Sequence, residues 1–265
     1  MKHNPVSDFI YQLFALIVSI IIVHAVYVTV IRPNADALLQ QQQEELQAGN
    51  ISEAPRSIYI VVKDFEQEAC FILALWMIAI IGLKAKFAFH ERKLLTMSLL
   101  EVTPGTSILP EDIRQYVRPL QALPLGEQEY LLPRALLTAL QRFGSTRNIQ
   151  DVSDAVREVC ETESNRLDSE LSMVRYIIWA IPSIGFIGTV RGIGDALGQA
   201  HQAVQGDIAG VTASLGVAFN STFIALVISI VIMFLMHQLQ LLQERLVLDT
   251  QNYCDVNLLR HMQNR

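Results

Sequence analysis

The sequence predicts an all-α integral membrane protein with four transmembrane helices and a helical cytoplasmic stalk. Three observations predict it. The 265 residues are 51% hydrophobic and 17% charged, with a mean hydropathy of +0.33, too apolar for a soluble domain of this length. Four windows meet or approach the roughly 20 apolar residues that a helix needs to cross a bilayer core. Of the 20 Lys and Arg, 12 fall between Lys84 and Arg175, whereas 32–68 holds 3 basic against 7 acidic residues, so the positive-inside bias puts the long middle segment in the cytoplasm. A soluble enzyme, a secreted disulfide scaffold, a disordered tail and a DNA-binding module are all disfavoured by this composition, the net charge of -6 and the three scattered cysteines. Cys70, Cys160 and Cys254 lack metal-ligand spacing and read as buried free thiols. No metal and no cofactor are expected.

The elements follow in order. Residues 1–8 form a cytoplasmic N-terminus carrying Lys2. The first span is 9–31; its apolar stretch exceeds a signal-peptide core and no small-residue cleavage site follows it. The periplasmic loop 32–68 opens with the helix-prone, Gln-rich run Ala37–Gly49. It continues through an Asn50-Ile51-Ser52 sequon, set aside as a chance match, and Pro55 to a β-prone run at Ser57–Val62. The second span, 69–89, has its apolar centre at Ala69–Leu83 and two lysines, Lys84 and Lys86, placed to snorkel.

The cytoplasmic helical domain, 90–170, is punctuated by Pro104-Gly105, Pro110 and Gly126, and helical spacing recurs over Glu111–Leu123 and Glu127–Phe143. Ser145-Thr146 is expected to cap a further helix. No Pro or Gly interrupts the chain from Asn148 to Arg175, so that helix is expected to run straight into the third span, 171–197. A short periplasmic loop, 198–212, leads to the fourth span, 213–236. The tail, 237–265, reads as an amphipathic cytoplasmic helix. Its seam is Leu235, Leu239, Leu242, Leu246, Tyr253 and Val256, interrupted at Asp249, and it packs on the protein's own stalk.

Ionisable groups inside a membrane are costly and therefore informative. No carboxylate falls in the central part of any span. Arg191 and Asp195 lie four apart and are placed to neutralise each other, or to form a charged vestibule. Arg175 marks the inner interface and His24 reads as a neutral histidine. The third span carries Pro182, Gly185, Gly188, Thr189 and Gly192. Pro182 frees a backbone carbonyl that needs a neighbouring donor. The fourth span carries the polar run Asn220, Ser221 and Thr222 and a small-residue ridge of Ser214, Ala218, Ser221 and Ala225. Small and hydroxylic faces serve either close helix packing or a hydrated path, and composition alone leaves both open.

The string from Ile181 to Gly194, IPSIGFIGTVRGIG, resembles the Pro-x-x-Gly-x-x-Gly-Thr-Val-x-Gly signature of the MotA/TolQ/ExbB proton-channel family. Ser214–Leu226, SLGVAFNSTFIAL, is similar to the helix that follows it. The resemblance covers the last two spans, about a quarter of the chain, and the order of spans is similar to the MotA arrangement. It implies an inner-membrane protein of bacteria, with no enzymatic activity, that forms a ring, a pentamer, around two copies of a MotB-, ExbD- or TolR-like single-span partner. That partner would bring the titrating aspartate. By position, Thr189 and Thr222 match the family's channel threonines and Pro182 the proline below them, with Ser221 and Asn220 beside the path. The resemblance implies a stator or motor driven by protons, with sodium as the alternative ion. Arg191 stands where an aromatic often follows Gly-Thr-Val, and Val227-Ile228-Ser229 stands where Ile-Pro is common. The competing reading is a non-conducting oligomeric scaffold that recruits cytoplasmic proteins.

Overall fold

A computed structural model of the chain describes residues 5–47, 57–97, 99–100 and 107–263. The sequon, Pro55 and Pro104-Gly105 lie outside them. Among the described residues there are no strands, only an isolated bridge between Ile108 and Met262. Four helical stretches among the described residues are long and apolar enough to cross a membrane: Ser7–Gln42, Phe65–Leu95, Ile149–Gly198 and Ala209–His261.

The first stretch is one rod: α1 (Pro5–Val26), a π-helical turn (Tyr27–Ile31) and α2 (Arg32–Gln47). The π turn sits just before Pro33, which cannot donate to the preceding turn and crowds its carbonyl, so the widened turn lets the helix pass through rather than end. Two carbonyls near it also accept side-chain donors. The Thr29 hydroxyl donates to Ala25 O at 2.7 Å and the Asn34 amide to Val30 O at 2.6 Å. Most of the described part of 32–68 is therefore helical. The β-prone run Ser57–Val62 is helical too: it forms α3 (Ile58–Val62), capped by Ser57, whose hydroxyl accepts the Tyr59 N–H at 3.3 Å. The correction has a physical reason, since a short apolar run does not declare its period, and a lone strand here would have no ladder partner for its amides.

Next come α4 (Phe65–Leu95), α5 (Ile113–Gln121), α6 (Leu125–Gln128), α7 (Leu131–Thr146) and α8 (Ile149–Glu170). They are followed by α9 (Ser172–Gly198), α10 (Ala200–Val204) and α11 (Ala209–Asn257). Two expectations change here. Ser145 and Thr146 end α7 instead of capping α8, their hydroxyls bonding back to the carbonyls of Gln141 and Arg142. Arg147 then takes a left-handed turn, φ 53°, and Asn148 is the cap, its side chain accepting the Gln150 N–H at 3.0 Å. The run from Asn148 to Arg175 is broken only by one turn residue, Leu171, which keeps a helical backbone angle.

The chain divides into two compact units. One comprises Phe9–Ile80 and Met173–Met236, the other Met1–Asp8, Ile81–Ser172 and His237–Arg265. In the first unit, Ala15, Ser19, Val23 and Tyr27 recur every four residues on the first rod and are all buried, a one-face stripe. The Trp76 indole donates to Gln12 O at 2.8 Å and the Tyr11 hydroxyl to Ala79 O at 3.3 Å, fastening α4 to α1. Opposite that stripe, Phe9, Leu13, Phe14, Ile17 and Ile21 are exposed, which carries no penalty in hydrocarbon.

The second unit has a water-type core. Leu120, Leu131, Leu136, Leu140, Phe143, Val152 and Val156 pack with Val247, Cys254 and Leu258 from the end of α11, so the tail does lie on its own stalk. Its buried seam runs through Leu239, Gln243, Leu246, Val247, Thr250, Cys254 and Leu258; Val256 is exposed. Asp249 therefore interrupts nothing: it points outward, 3.5 Å from Arg92. Two polar ties organise this unit. The Glu91 carboxylate accepts the Leu131 N–H at 2.8 Å, satisfying an orphan donor at the start of α7, and buried Glu163 is held by Arg134 and Arg166, each at 2.5 Å.

Candidate functional site

Helices α9 and α11 meet along a seam of small residues. A methyl group added at Gly188 would lie 2.6 Å from Ser221 Oγ, and one added at Gly192 would lie 2.7 Å from both Ala218 N and Ser214 O. At Gly185 it would meet Ala225 and the backbone of Ser221 and Thr222. The three glycines, spaced three and four apart, thus face Ser214, Ala218, Ser221 and Ala225 in register, and the backbones approach closely because neither side has bulk.

That approach brings Thr189 and Thr222 together. Their hydroxyls hydrogen-bond each other, and each also reaches the facing helix: Thr189 Oγ1 donates to Ala218 O at 3.1 Å, and Thr222 Oγ1 to Gly185 O at 3.1 Å. Each hydroxyl has one proton and two lone pairs, so the pair sits in a network where donors are shared and the hydrogens can reorient. Both threonines are half-buried, as is Asn220, while Ser221 is fully buried. Around them the exposed residues Phe186, Val190, Phe219 and Phe223 are apolar.

Pro182 lies one turn and a half below Gly188, within α9. The carbonyl it leaves without a backbone donor is that of Ile178, and the Ser229 hydroxyl donates to this oxygen at 3.5 Å. Ser229 belongs to the Val227-Ile228-Ser229 run that departs from the family pattern, and here it supplies the donor a proline kink requires in a dry environment.

The charges sort differently from the spacing rule. Arg191 turns away from Asp195 and forms a two-pronged ion pair with Glu66, Nε to Oε1 at 2.7 Å and the terminal nitrogen to Oε2 at 2.8 Å. A bidentate guanidinium–carboxylate fork outcompetes a pair four residues apart on the same helix, which leaves Asp195 exposed. Glu66 opens α4, and the same first turns carry Gln67 and Glu68. Gln67 is fully buried and its amide donates to Val61 O at 3.2 Å and Ser221 Oγ at 3.4 Å. Glu68 is buried too, paired with Arg32 and with His24, whose Nδ1 lies 2.6 Å from its carboxylate. His24 is thus tied to an acid, a partner that the sequence reading of it as a neutral span histidine did not foresee.

Sequence reasoning missed this acidic end of α4 because it assigned residues up to 68 to a loop. The available signal was the Glu66–Glu68 pair immediately before an apolar run, the usual acidic start of a helix. Among the described residues no group of three or more His, Cys, Asp or Glu is arranged to hold a metal.

A model of the MotA/TolQ/ExbB proton channel family matches residues 127–252. The match reaches upstream of the glycine signature through α7 and α8, so the family pattern includes helices in which the sequence alone showed no motif. No curated protein and no solved structure matches the chain.

Proposed function

We propose, from the match of residues 127–252 to a model of the MotA/TolQ/ExbB proton channel family, that the chain is a ring-forming subunit of an ion-driven motor or energy-transducing complex. Five copies enclose two single-span helices of a MotB-, ExbD- or TolR-like partner, protons pass between partner and ring, and the partner's aspartate is the group that titrates. The chain sits in an inner membrane with both termini in the cytoplasm.

The observation that carries this reading is the Thr189–Thr222 hydroxyl pair on the glycine seam, in a chain whose spans hold no carboxylate at their centres. Hydroxyls can hydrate and hydrogen-bond a carboxylate in either charge state without adding a competing fixed charge to a low-dielectric site. A proton falling through 100 mV supplies about 2.3 kcal/mol, so a mechanical cycle draws on several. Thr189→Val with Thr222→Val keeps side-chain volume and removes both hydroxyls. The double variant should assemble normally with its partner and lose ion-dependent activity; full activity in it would reject the pathway and favour the scaffold reading.

A further inference from the structure

Near the first turns of α4, three buried side-chain oxygens have no hydrogen-bond partner: Tyr27 Oη, Asp64 Oδ2 and Gln67 Oε1. They come from three elements, the π-helical turn of the first rod, the link between α3 and α4, and the start of α4. Tyr27 is 1% and Gln67 0% exposed, so solvent outside the fold does not satisfy them. Gln67 spends its amide hydrogens on Val61 O and Ser221 Oγ and leaves its carbonyl oxygen open. Gln67 is among the groups that act on the Asp64 carboxyl, and Asp64 lies within the electrostatic reach of Tyr27. Buried oxygens left open in one place mark a site that water occupies, since each otherwise forfeits its hydration without return.

These oxygens adjoin the hydroxyl seam. Gln67 touches Ser221, the neighbour of Thr222, and the side chain of Glu66 lies against Gly188, one residue from Thr189. We propose that Asp64, Gln67 and Tyr27 form a hydrated proton-uptake station belonging to this chain, which receives protons from the aqueous side next to α3 and passes them toward Ser221 and the Thr189–Thr222 pair. The proposal rests on the function given above, in which protons move past those hydroxyls.

The steps balance without any other reactant. A hydronium ion gives its proton to the Asp64 carboxylate, forming an O–H bond and leaving water. The acid then releases the proton to a water held by Gln67 and Tyr27, regenerating the carboxylate, and Ser221 accepts a proton on Oγ while giving up its own hydrogen to the next acceptor. Four groups act on the Asp64 carboxyl, Lys63, Glu66 and Gln67 from its own segment and Arg191 from α9; Tyr27 lies within the electrostatic reach of Asp64, Arg32 and Glu68. Burial pushes the Asp64 carboxyl above its ordinary range; Lys63 and Arg191 oppose the shift and Glu66 adds to it. An acid raised above its ordinary range takes up a proton more readily than a free aspartate and can still release it.

Infrared titration of the full chain in lipid nanodiscs tests the station without a partner and without flux. The difference between the wild-type and Asp64→Asn titrations should show one protonated-carboxyl band that persists above ~pH 4, the ordinary aspartate value, and is absent from the variant, on top of that of the buried Glu91 carboxyl that both share. Identical titrations, or no such band in the wild type, would overturn the station. Proton flux in vesicles of the chain co-assembled with its single-span partner tests the delivery. Asp64→Asn should slow flux roughly tenfold or more, and Asp64→Glu should restore most of it. Unchanged flux in Asp64→Asn beside an active wild type would overturn this station alone. A silent wild-type complex would overturn the proposed function and the delivery step with it, leaving the infrared result to stand by itself.

Discussion

Gly192→Ala should loosen the seam between α9 and α11 where it has least room to give. The new methyl group would stand 2.7 Å from Ser214 O and from Ala218 N, both backbone atoms, and 2.8 Å from Ala218 Cβ. Ordinary carbon contacts to such atoms begin at 3.4 Å, so about 0.7 Å must be found by moving one helix away from the other. No rotamer change can supply it, because backbone atoms belong to the helix itself. Overpacking of this kind costs about 1–3 kcal/mol. Gly194 on the same helix offers an internal control: nothing lies within 4 Å of a methyl group placed there. Gly194→Ala should be neutral, or gain up to about 1 kcal/mol from the higher helix propensity of alanine. Thermal unfolding of the two purified variants in one detergent reads the difference, and at 2–4 °C per kcal/mol for a chain near this size, Gly192→Ala should melt roughly 2–12 °C below wild type. Equal melting temperatures for the two variants would refute the close packing on which the hydroxyl pair depends.

Two further outcomes follow from the ion pairs. A double-mutant cycle with Glu66→Gln and Arg191→Gln should return a coupling of about 1 kcal/mol that shrinks with added salt, because the Arg191 side chain keeps 44% of its surface exposed although Glu66 keeps only 12%; additive single effects would show that the fork does not form. Glu163→Gln should cost about 2 kcal/mol in the stability of the unit that holds α7 and α8, measured by denaturant unfolding. That is less than the loss of a fully buried partner, since Arg134 and Arg166 are each more than a third exposed. A variant as stable as wild type would show that the two guanidiniums do not depend on this carboxylate.

What the sequence made legible is what a single helix can reveal about itself. Apolar length marked the four spans, and the three-and-four spacing of Gly185, Gly188 and Gly192 against Ser214, Ala218, Ser221 and Ala225 marked two faces that fit each other. The Pro182 carbonyl announced its need for a donor, although only the fold shows that Ser229 lies beside it. Longer-range choices were hidden. Arg191 and Glu66 are 125 residues apart, and nothing in local spacing tells a guanidinium to prefer that carboxylate over the Asp195 four residues away. Ser57–Val62 was misread because five apolar residues carry too few repeats to separate a period of two from one of 3.6. The cap of α8 slipped from Ser145-Thr146 to Asn148 because all three residue types serve as caps, and the left-handed turn at Arg147 decides between them. The buried oxygens of Tyr27, Asp64 and Gln67 come from three separate elements, and no window of sequence contains them together.

The claim at the centre is that this polypeptide lines a proton path but lacks the acid that completes it. Proton-dye measurements on vesicles under a membrane potential, with the chain alone and with the chain co-purified with its single-span partner, address it directly. The account predicts negligible flux from the chain alone and partner-dependent flux that disappears in Thr189→Val/Thr222→Val. Sustained, selective proton current from the chain by itself would contradict it.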